Sequence, residues 1–161
     1  MPDPEPAEII EARTAGQVDL VACLFREYVD WLGVDLSFQG FDEELAGLPG
    51  IYASPRGQLL LALAASQPAG CVGLRPLEPR ICEMKRLYVR PAWRGTGLGR
   101  RLAETVIATA RAVGYERMRL DTMRSLAAAN RLYESLGFVE IEPYTVNPIE
   151  GVRFLELRLD R

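Results

Sequence analysis

Histidine is absent from this chain of 161 residues. A zinc site therefore has few ligands to draw on, and nucleophile pairs of the Ser–His or Cys–His kind are excluded. The cysteines, Cys23, Cys71 and Cys82, are odd in number and lack CxxC spacing, so we interpret them as small buried hydrophobic residues. Acid–base chemistry must then use carboxylates, Tyr, Cys, Lys or a bound water.

The chain also lacks a long apolar run and an excess of basic residues. Its longest apolar run, residues 59–65, is far shorter than the roughly 20 residues that cross a bilayer. The formal net charge of -3, with no basic stripe, argues against nucleic acid as the main partner. The acidic, proline-rich start is unlike a signal peptide. We therefore expect a cytoplasmic protein whose partner is neither a membrane nor a nucleic acid.

The apolar patterning predicts one α/β domain with a mixed sheet. We expect residues 1–6 to be a disordered lead-in and residues 7–161 to form the domain. Apolar residues recur at helical spacing over residues 16–32 and 98–113. A short helix over residues 42–46 takes Asp42 as its N-cap, and another helix covers residues 126–136. Strands are predicted over residues 7–13, 58–65, 69–77, 81–89, 117–122, 138–141 and 152–159.

One segment, residues 81–99 (ICEMKRLYVRPAWRGTGLG), joins a strand, a Pro-containing turn and the start of a long amphipathic helix. The free N–H groups and partial positive charge of a helix N-terminus suit a phosphate. Gly95, Gly97 and Gly99 remove side chains that would hold a ligand away, and Arg94 adds charge. The spacing fits neither the GxGxxG fingerprint nor a P-loop. A phosphorylated cofactor is therefore predicted here.

Three motifs in this order resemble those of the GNAT superfamily, the acetyl-CoA-dependent N-acyltransferases. Residues 94–99, RGTGLG, match its Arg/Gln-x-x-Gly-x-Gly/Ala signature, and residues 83–91, EMKRLYVRP, are similar to the strand before it. Residues 129–138, ANRLYESLGF, resemble its segment of Asn, Tyr and a final Gly-Phe. The resemblance covers about residues 7–159. It implies a mixed, mostly antiparallel central sheet of six or seven strands with about four helices, splayed between the two central strands.

The same resemblance implies a cofactor-binding set for acetyl-CoA. The backbone N–H groups of residues 94–99 would hold the pyrophosphate, and Arg100 is either a phosphate ligand or a solvated surface charge. Residues 87–89 would pair with the pantetheine arm like an added strand, and the N–H of Val89 would polarise the thioester carbonyl. The set is Leu87, Tyr88, Val89, Arg94, Gly95, Thr96, Gly97, Leu98, Gly99, Arg100, Asn130 and Tyr133.

The catalytic candidates implied by the resemblance are Tyr133, Glu83 and Val89. Tyr133 matches the family's general acid, which protonates the departing thiolate, and its alternative is a core aromatic residue. Asn130, one turn earlier, would contact the cofactor arm or serve as a capping amide. Glu83 is the candidate base for the acceptor amine, although it could equally grip the amine or form a structural ion pair. Strand alternation places Glu83 and Lys85 on one face.

The acceptor pocket is expected near Tyr28, Trp31, Phe38, Tyr144, Asn147 and Arg153, with core packing as the alternative for the helical pair Tyr28 and Trp31. Lys85, Arg86 or Arg153 could bind a carboxylate, which favours an amino-acid-like substrate. The predicted activity is acetyl transfer to a primary amine of a small molecule, by direct attack in a ternary complex. A protein N-terminal or lysine acetyltransferase and a non-catalytic CoA-binding module are the alternatives, and a homodimer is left open.

Overall fold

The computed structural model describes residues 5–160, apart from the side chain of Phe38, and arranges them around a seven-stranded sheet. The strands are β1 (Glu8–Glu11), β2 (Gln58–Ala64), β3 (Gln67–Glu78), β4 (Ile81–Val89), β5 (Arg117–Met123), β6 (Val139–Ile141) and β7 (Val152–Arg158). They lie in the order β1-β2-β3-β4-β5-β7-β6, and every neighbouring pair is antiparallel except β4 and β5. This confirms the predicted mixed, mostly antiparallel sheet. The expected lead-in falls mainly on residues 1–4, which lie outside the described residues, as does residue 161.

Within residues 5–160 there are four α-helices: α1 (Ala15–Leu32), α2 (Phe41–Ala46), α3 (Leu98–Val113) and α4 (Ala127–Ser135). Thr14 and Gln17 begin α1 with a reciprocal capping box. The predicted cap of α2 is wrong, because the helix begins one residue earlier and Gly40 takes the N-cap position. Asp42 lies instead in the first turn, where a carboxylate favours the helix dipole. None of these helices is both long and apolar enough to cross a membrane.

Two apolar cores, one on each face of the sheet, hold the layers together. Beneath α3, Leu102 and Val106 are fully buried against the central strands, which confirms the predicted apolar face of that helix. Beneath α1, Leu24 and Phe25 are fully buried in the second core. Each large side chain buried in this way stabilises the fold by about 1.5–3 kcal/mol. This packing fixes the positions of the groups that emerge at the edges and gaps of the sheet.

The sheet opens between β4 and β5. These parallel strands pair only over residues 81–83 of β4 and residues 117–119 of β5. Beyond Glu83, β4 continues to Val89 while paired to β3 alone. This is the splay predicted between the two central strands, and it leaves one side of the last six residues of β4 without a backbone partner in the described sheet.

A bulge in β4 lies beside this gap. The register with β3 shifts so that Cys71 pairs with Tyr88 while Gly73 pairs with Lys85, which adds one residue on β4. Arg86 takes the extra position, with a left-handed φ of +61°. An extra residue interrupts the alternation of side chains, so Lys85 and Arg86 both contact residues on the α1 and α2 side of the sheet.

Candidate active site

A cleft with an empty volume of about 990 Å³ lies in the gap between β4 and β5. Its walls come from the end of β4, the glycine loop, the start of α3, the inner face of α4 and the end of α1. Of the predicted cofactor set, it is lined by Leu87, Tyr88, Val89, Arg94, Gly95, Gly97, Leu98, Gly99 and Tyr133. The structure therefore brings together in one cleft most of the residues that the three motifs identified.

The start of α3 is shaped to receive an anion. Gly97 caps the helix with a left-handed φ of +86°, and Gly95 has a φ of +78°, conformations that favour glycine. No side chain caps this helix and its first turn holds no acidic residue. The first N–H groups of α3 have no acceptor within the helix and face the cleft with the positive end of its dipole. The residues present therefore fit the pyrophosphate of acetyl-CoA.

The end of β4 presents polar backbone groups to the same cleft. Val89 accepts a hydrogen bond at its carbonyl from Arg94 Nε at 3.0 Å, so this carbonyl points away from β3. In a strand the N–H and C=O of one residue point to the same side, so the N–H of Val89 also faces the gap. The geometry is therefore compatible with the expected contact between this N–H and a thioester carbonyl.

Arg94 lies across the aromatic side of the cleft. Its guanidinium is 4.7 Å from the centroid of the Trp31 ring and 5.9 Å from that of Tyr88. Trp31 is 49% exposed, so it is a wall of the cleft mouth and is only partly engaged in packing. The expected acceptor residue Trp31 thus lies beside the expected cofactor ligand Arg94, where cation–π attraction holds the two together.

Tyr133 lies at the inner wall of the cleft, in α4. Its ring meets Phe138 edge to face at 5.8 Å between centroids, and Tyr133 lines the cleft. Burial, with a smaller contribution from Tyr28 and Asp121, raises the pKa of Tyr133 well above its usual value. The phenol therefore keeps its proton through the physiological pH range and can donate it to a group in the cleft.

A second cavity, with an empty volume of about 490 Å³, lies on the α2 side of the gap and is strongly polar. It is lined by Gln39, Glu44, Arg75, Glu83, Lys85, Arg86, Asp121, Thr145 and Val146. A narrower third cavity of about 360 Å³ shares Tyr28 with the cofactor cleft, and Gln39 and Arg86 with the polar cavity. The expected acceptor residues Lys85 and Arg86 therefore adjoin the cofactor cleft but lie outside it.

Glu83 belongs to this polar cavity, where it is 2% exposed. Arg75 Nε donates to one carboxylate oxygen at 2.8 Å, and Tyr144 donates its hydroxyl to the other at 2.5 Å. Burial first, and then the Glu83 charge, raise the pKa of Tyr144 far above its usual value, so it remains a donor. This geometry matches the structural ion pair that the sequence left open, and its role as a base stays a prediction.

Asp121 is the residue that sequence reasoning missed. It lies on β5, two residues beyond the last pairing with β4, and it lines all three cavities. Asn147 Nδ2 donates to Asp121 Oδ2 at 3.1 Å, which places the expected acceptor residue Asn147 beside it. A carboxylate alternating with the buried Leu120 and Thr122 was the available signal, since Asp is disfavoured within strands.

The expected cofactor residues Asn130, Thr96 and Arg100 and the expected acceptor residue Arg153 line neither the cofactor cleft nor the polar cavity. The side-chain amide of Asn130 donates to the carbonyls of Met123 and Leu126, at 2.9 and 2.8 Å, and stabilises the start of α4. Arg153 donates to the Asn130 side chain at 3.1 Å, on the α4 face of the sheet and away from the polar cavity. The remaining two candidates, Thr96 and Arg100, make only local contacts at the surface. The acceptor role expected of Arg153 finds no support in this placement.

Among the residues that the structure describes, no group of three or more Cys, Asp and Glu side chains is placed to hold a metal ion.

The sequence profile of the Acetyltransferase (GNAT) family matches residues 24–138. An uncharacterized N-acetyltransferase of Schizosaccharomyces pombe is 40% identical over 163 aligned positions, which cover 100% of both chains.

Solved structures give the same fold. A GNAT acetyltransferase from Staphylococcus aureus superimposes with a TM-score of 0.80 at 21% identity, covering 96% of this chain and 99% of its own. A Salmonella typhimurium structure that contains its cofactor acetyl-CoA gives 0.72 at 23% identity, covering 97% and 95%. The chain therefore belongs to the GNAT family of acetyltransferases, whose acetyl donor is acetyl-CoA.

Proposed function

We propose that this enzyme moves the acetyl group of acetyl-CoA to a primary amine of a small molecule. The observation that carries the proposal is the shared wall of the two cavities, because Asp121 lines both the cofactor cleft and the polar cavity. An acceptor in the polar cavity would meet the acetyl group at the gap in the sheet. The amine then attacks the thioester directly while both substrates are bound, with no acyl group on the enzyme.

On the donor side, the chain contributes positioning and polarisation. The N–H groups at the start of α3 would hold the pyrophosphate, and the N–H of Val89 would bind the carbonyl oxygen that gains charge. Acetyl-CoA supplies the activated acetyl thioester. A donor of the Val89 kind is worth about 10² to 10³ in rate in other acyl-transfer enzymes. Tyr133 would donate its proton to the sulfur that departs.

On the acceptor side, the amine is mostly protonated at neutral pH and must lose a proton before it attacks. Glu83 remains the proposed acceptor of that proton, reached through water, because it lines the polar cavity and not the cofactor cleft. Its bonds to Arg75 and Tyr144 fix its carboxylate in place. The proton path is thus proposed to run through the polar cavity.

A small acceptor is favoured over a protein by the covering of the polar cavity, which two segments of the chain enclose. The segment between α1 and β2 covers one side with Gln39 and Glu44, and the loop before β7 covers another with Thr145 and Val146. A protein N-terminus or lysine, the alternative acceptor, needs an open groove for the neighbouring residues.

The test measures acetyl transfer to a panel of small amines and peptides. The reaction is monitored by thiol release and by mass spectrometry of the products. We expect small amines to be acetylated and Tyr133→Phe to lower kcat by at least tenfold. Tyr115→Phe is the matched control, since Tyr115 lies outside the cleft, just beyond the C-terminal end of α3, and its hydroxyl donates to the Arg56 carbonyl at 2.7 Å. Unchanged turnover in Tyr133→Phe would remove Tyr133 from the mechanism.

Other outcomes separate the alternatives. Acetylation of peptides but not of small amines would identify a protein acetyltransferase. Stabilisation by CoA with no acetylation of either class would identify a CoA-binding module. The proposed compartment is the cytoplasm, where free cysteines such as the buried Cys71 and Cys82 stay reduced. A homodimer stays a prediction that light scattering can measure.

A further inference from the structure

The polar cavity is lined by three cationic and three anionic side chains, which form three ion pairs. In two of these pairs the charged groups are hydrogen-bonded to each other at short distance. Arg75 Nε lies 2.8 Å from Glu83 Oε1. Arg86 donates to both carboxylate oxygens of Glu44, at 3.1 and 3.3 Å. These four charged groups are paired with each other, and we therefore treat them as walls of the cavity that need no charge from a ligand.

The third pair, Lys85 and Asp121, is loose. Lys85 Nζ lies 3.5 Å from Asp121 Oδ1, although the two side chains are only 7% and 13% exposed. Gln39 spans them, because it accepts from Lys85 at 3.2 Å and its amide nitrogen lies 3.5 Å from Asp121 Oδ2. Burying two charged groups costs desolvation free energy, and contacts as long as these compensate only part of that cost. Opposite charges from a ligand would compensate both, through short charge-assisted hydrogen bonds.

The positions of the two charges give such a ligand a direction. Asp121 lines the cofactor cleft as well as the polar cavity, whereas Lys85 lines the polar cavity alone. An ammonium on Asp121 would lie beside the acetyl donor, with a carboxylate on Lys85 farther away. The reverse orientation would turn a non-nucleophilic carboxylate toward the thioester. Asn147, bonded to Asp121 Oδ2, holds the carboxylate of Asp121 in this position.

From this geometry we propose that the acceptor is an amino-carboxylate in its zwitterionic form, with its amine bound by Asp121 and its carboxylate by Lys85. The inference rests on the proposed function and names the class of small amine that the site takes. Asp121 and Lys85 are substrate-binding residues here, and Gln39 positions both of them. Arg75–Glu83 and Arg86–Glu44 neutralise each other's charges, so the selectivity of the cavity comes from the third pair, Lys85 and Asp121.

The experiment compares each amino acid with the amine that lacks its carboxylate: alanine with ethylamine, leucine with 3-methylbutylamine, and phenylalanine with phenethylamine. For every compound, kcat/KM is measured by thiol release with acetyl-CoA in excess. We expect the amino acid to be preferred in at least one pair by about tenfold to a hundredfold, the range for a hydrogen bond to a charged group. Stabilisation by CoA in a thermal melt shows that each enzyme preparation is folded.

Variants assign the two groups separately. Lys85→Gln, and Lys85→Met in parallel, should reduce the ratio of kcat/KM between amino acid and amine by about tenfold or more. Asp121→Asn should lower kcat/KM for both members of a pair by a similar factor, since both carry the amine. Arg80→Gln is the charge-matched control, because Arg80 is exposed and pairs with Glu116 at the surface, outside all three cavities. It should leave the ratio unchanged.

Three results would overturn the proposal. Amines used as well as or better than their amino acids would exclude the carboxylate contact while the proposed function stands. Equal losses for both members of a pair in both Lys85 variants would show that Lys85 only supports the cavity. Acetylation of no compound, despite stabilisation by CoA, would overturn the proposed function and this inference with it.

Discussion

Gly97 offers the sharpest test of the anion site, because its substitution separates backbone strain from ligand binding. It takes a φ of +86°, and a Cβ built there meets nothing within 4 Å. The cost of Gly97→Ala is therefore conformational rather than steric, about 1–2 kcal/mol for a left-handed alanine. At about 2–4 °C per kcal/mol for a chain of this size, we expect Tm to fall by about 2–8 °C.

Gly114→Ala is the matched control on the same helix. Gly114 takes a φ of +103° at the other end of α3, and a Cβ there also meets nothing within 4 Å. The two variants should lose similar stability. Only Gly97→Ala should weaken acetyl-CoA, because relaxing its φ turns the first N–H groups of α3 away from the cleft.

The expected loss at Gly97 is one charge-assisted hydrogen bond to phosphate, which corresponds to about tenfold to a hundredfold in the KM for acetyl-CoA. The assay is a titration of acetyl-CoA at saturating acceptor, with the direct affinity for CoA measured by calorimetry. Equal KM values in the two variants, with the expected loss of Tm in both, would refute the assignment of this helix end to the pyrophosphate.

Further predictions concern buried charges and thiols. Glu44→Gln leaves Arg86 buried without its partner and should destabilise the protein by about 3–5 kcal/mol in urea unfolding, whereas Glu104→Gln, at an exposed pair, should cost less than about 0.5 kcal/mol. Cys23 is exposed, so the expectation that all three cysteines are buried is wrong for this residue. Burial raises the pKa of Cys82 to about 12 and that of Cys71 further, so Cys23 alone should react with a disulfide reagent at pH 8 in the native protein, and all three thiols after unfolding. Because these two thiols keep their protons in the folded state only, the free energy of unfolding should fall as the pH rises above about 9. Equal unfolding free energies at pH 8 and pH 10.5 would contradict this.

Local patterns predicted most of the elements because each depends on neighbours along the chain. The 3.6-residue spacing of apolar side chains defined α3, and its buried Leu102 and Val106 follow that spacing. The cap of α2 was harder to predict, because it depends on the conformation at the end of the preceding 3-10 turn, Ser37–Gln39, where Gly40 takes the cap position. Strand alternation correctly placed Glu83 and Lys85 on one face.

The acceptor side depended on features that no short pattern contains. The bulge puts Arg86, a residue without glycine's freedom, at a φ of +61° and turns it into the same cavity as Lys85. Asp121 becomes part of the site only because β5 leaves β4 two residues earlier. Arg153 lies on the α4 face because the register of β7 with β5 decides which of its alternating side chains face α4, and its acceptor role stays a prediction. These are long-range properties of the sheet.

The short contact between β4 and β5 has a mechanical consequence. Strands β1 to β4 and strands β5 to β7 are two half-sheets joined through three residue pairs, with Lys85 and Asp121 facing each other across the opening. Acetyl-CoA bound along β4 and an acceptor bound by β5 would connect these two halves. The catalytic groups would then be aligned only when both substrates are bound, because each substrate would restrict the movement of the half-sheet that binds the other.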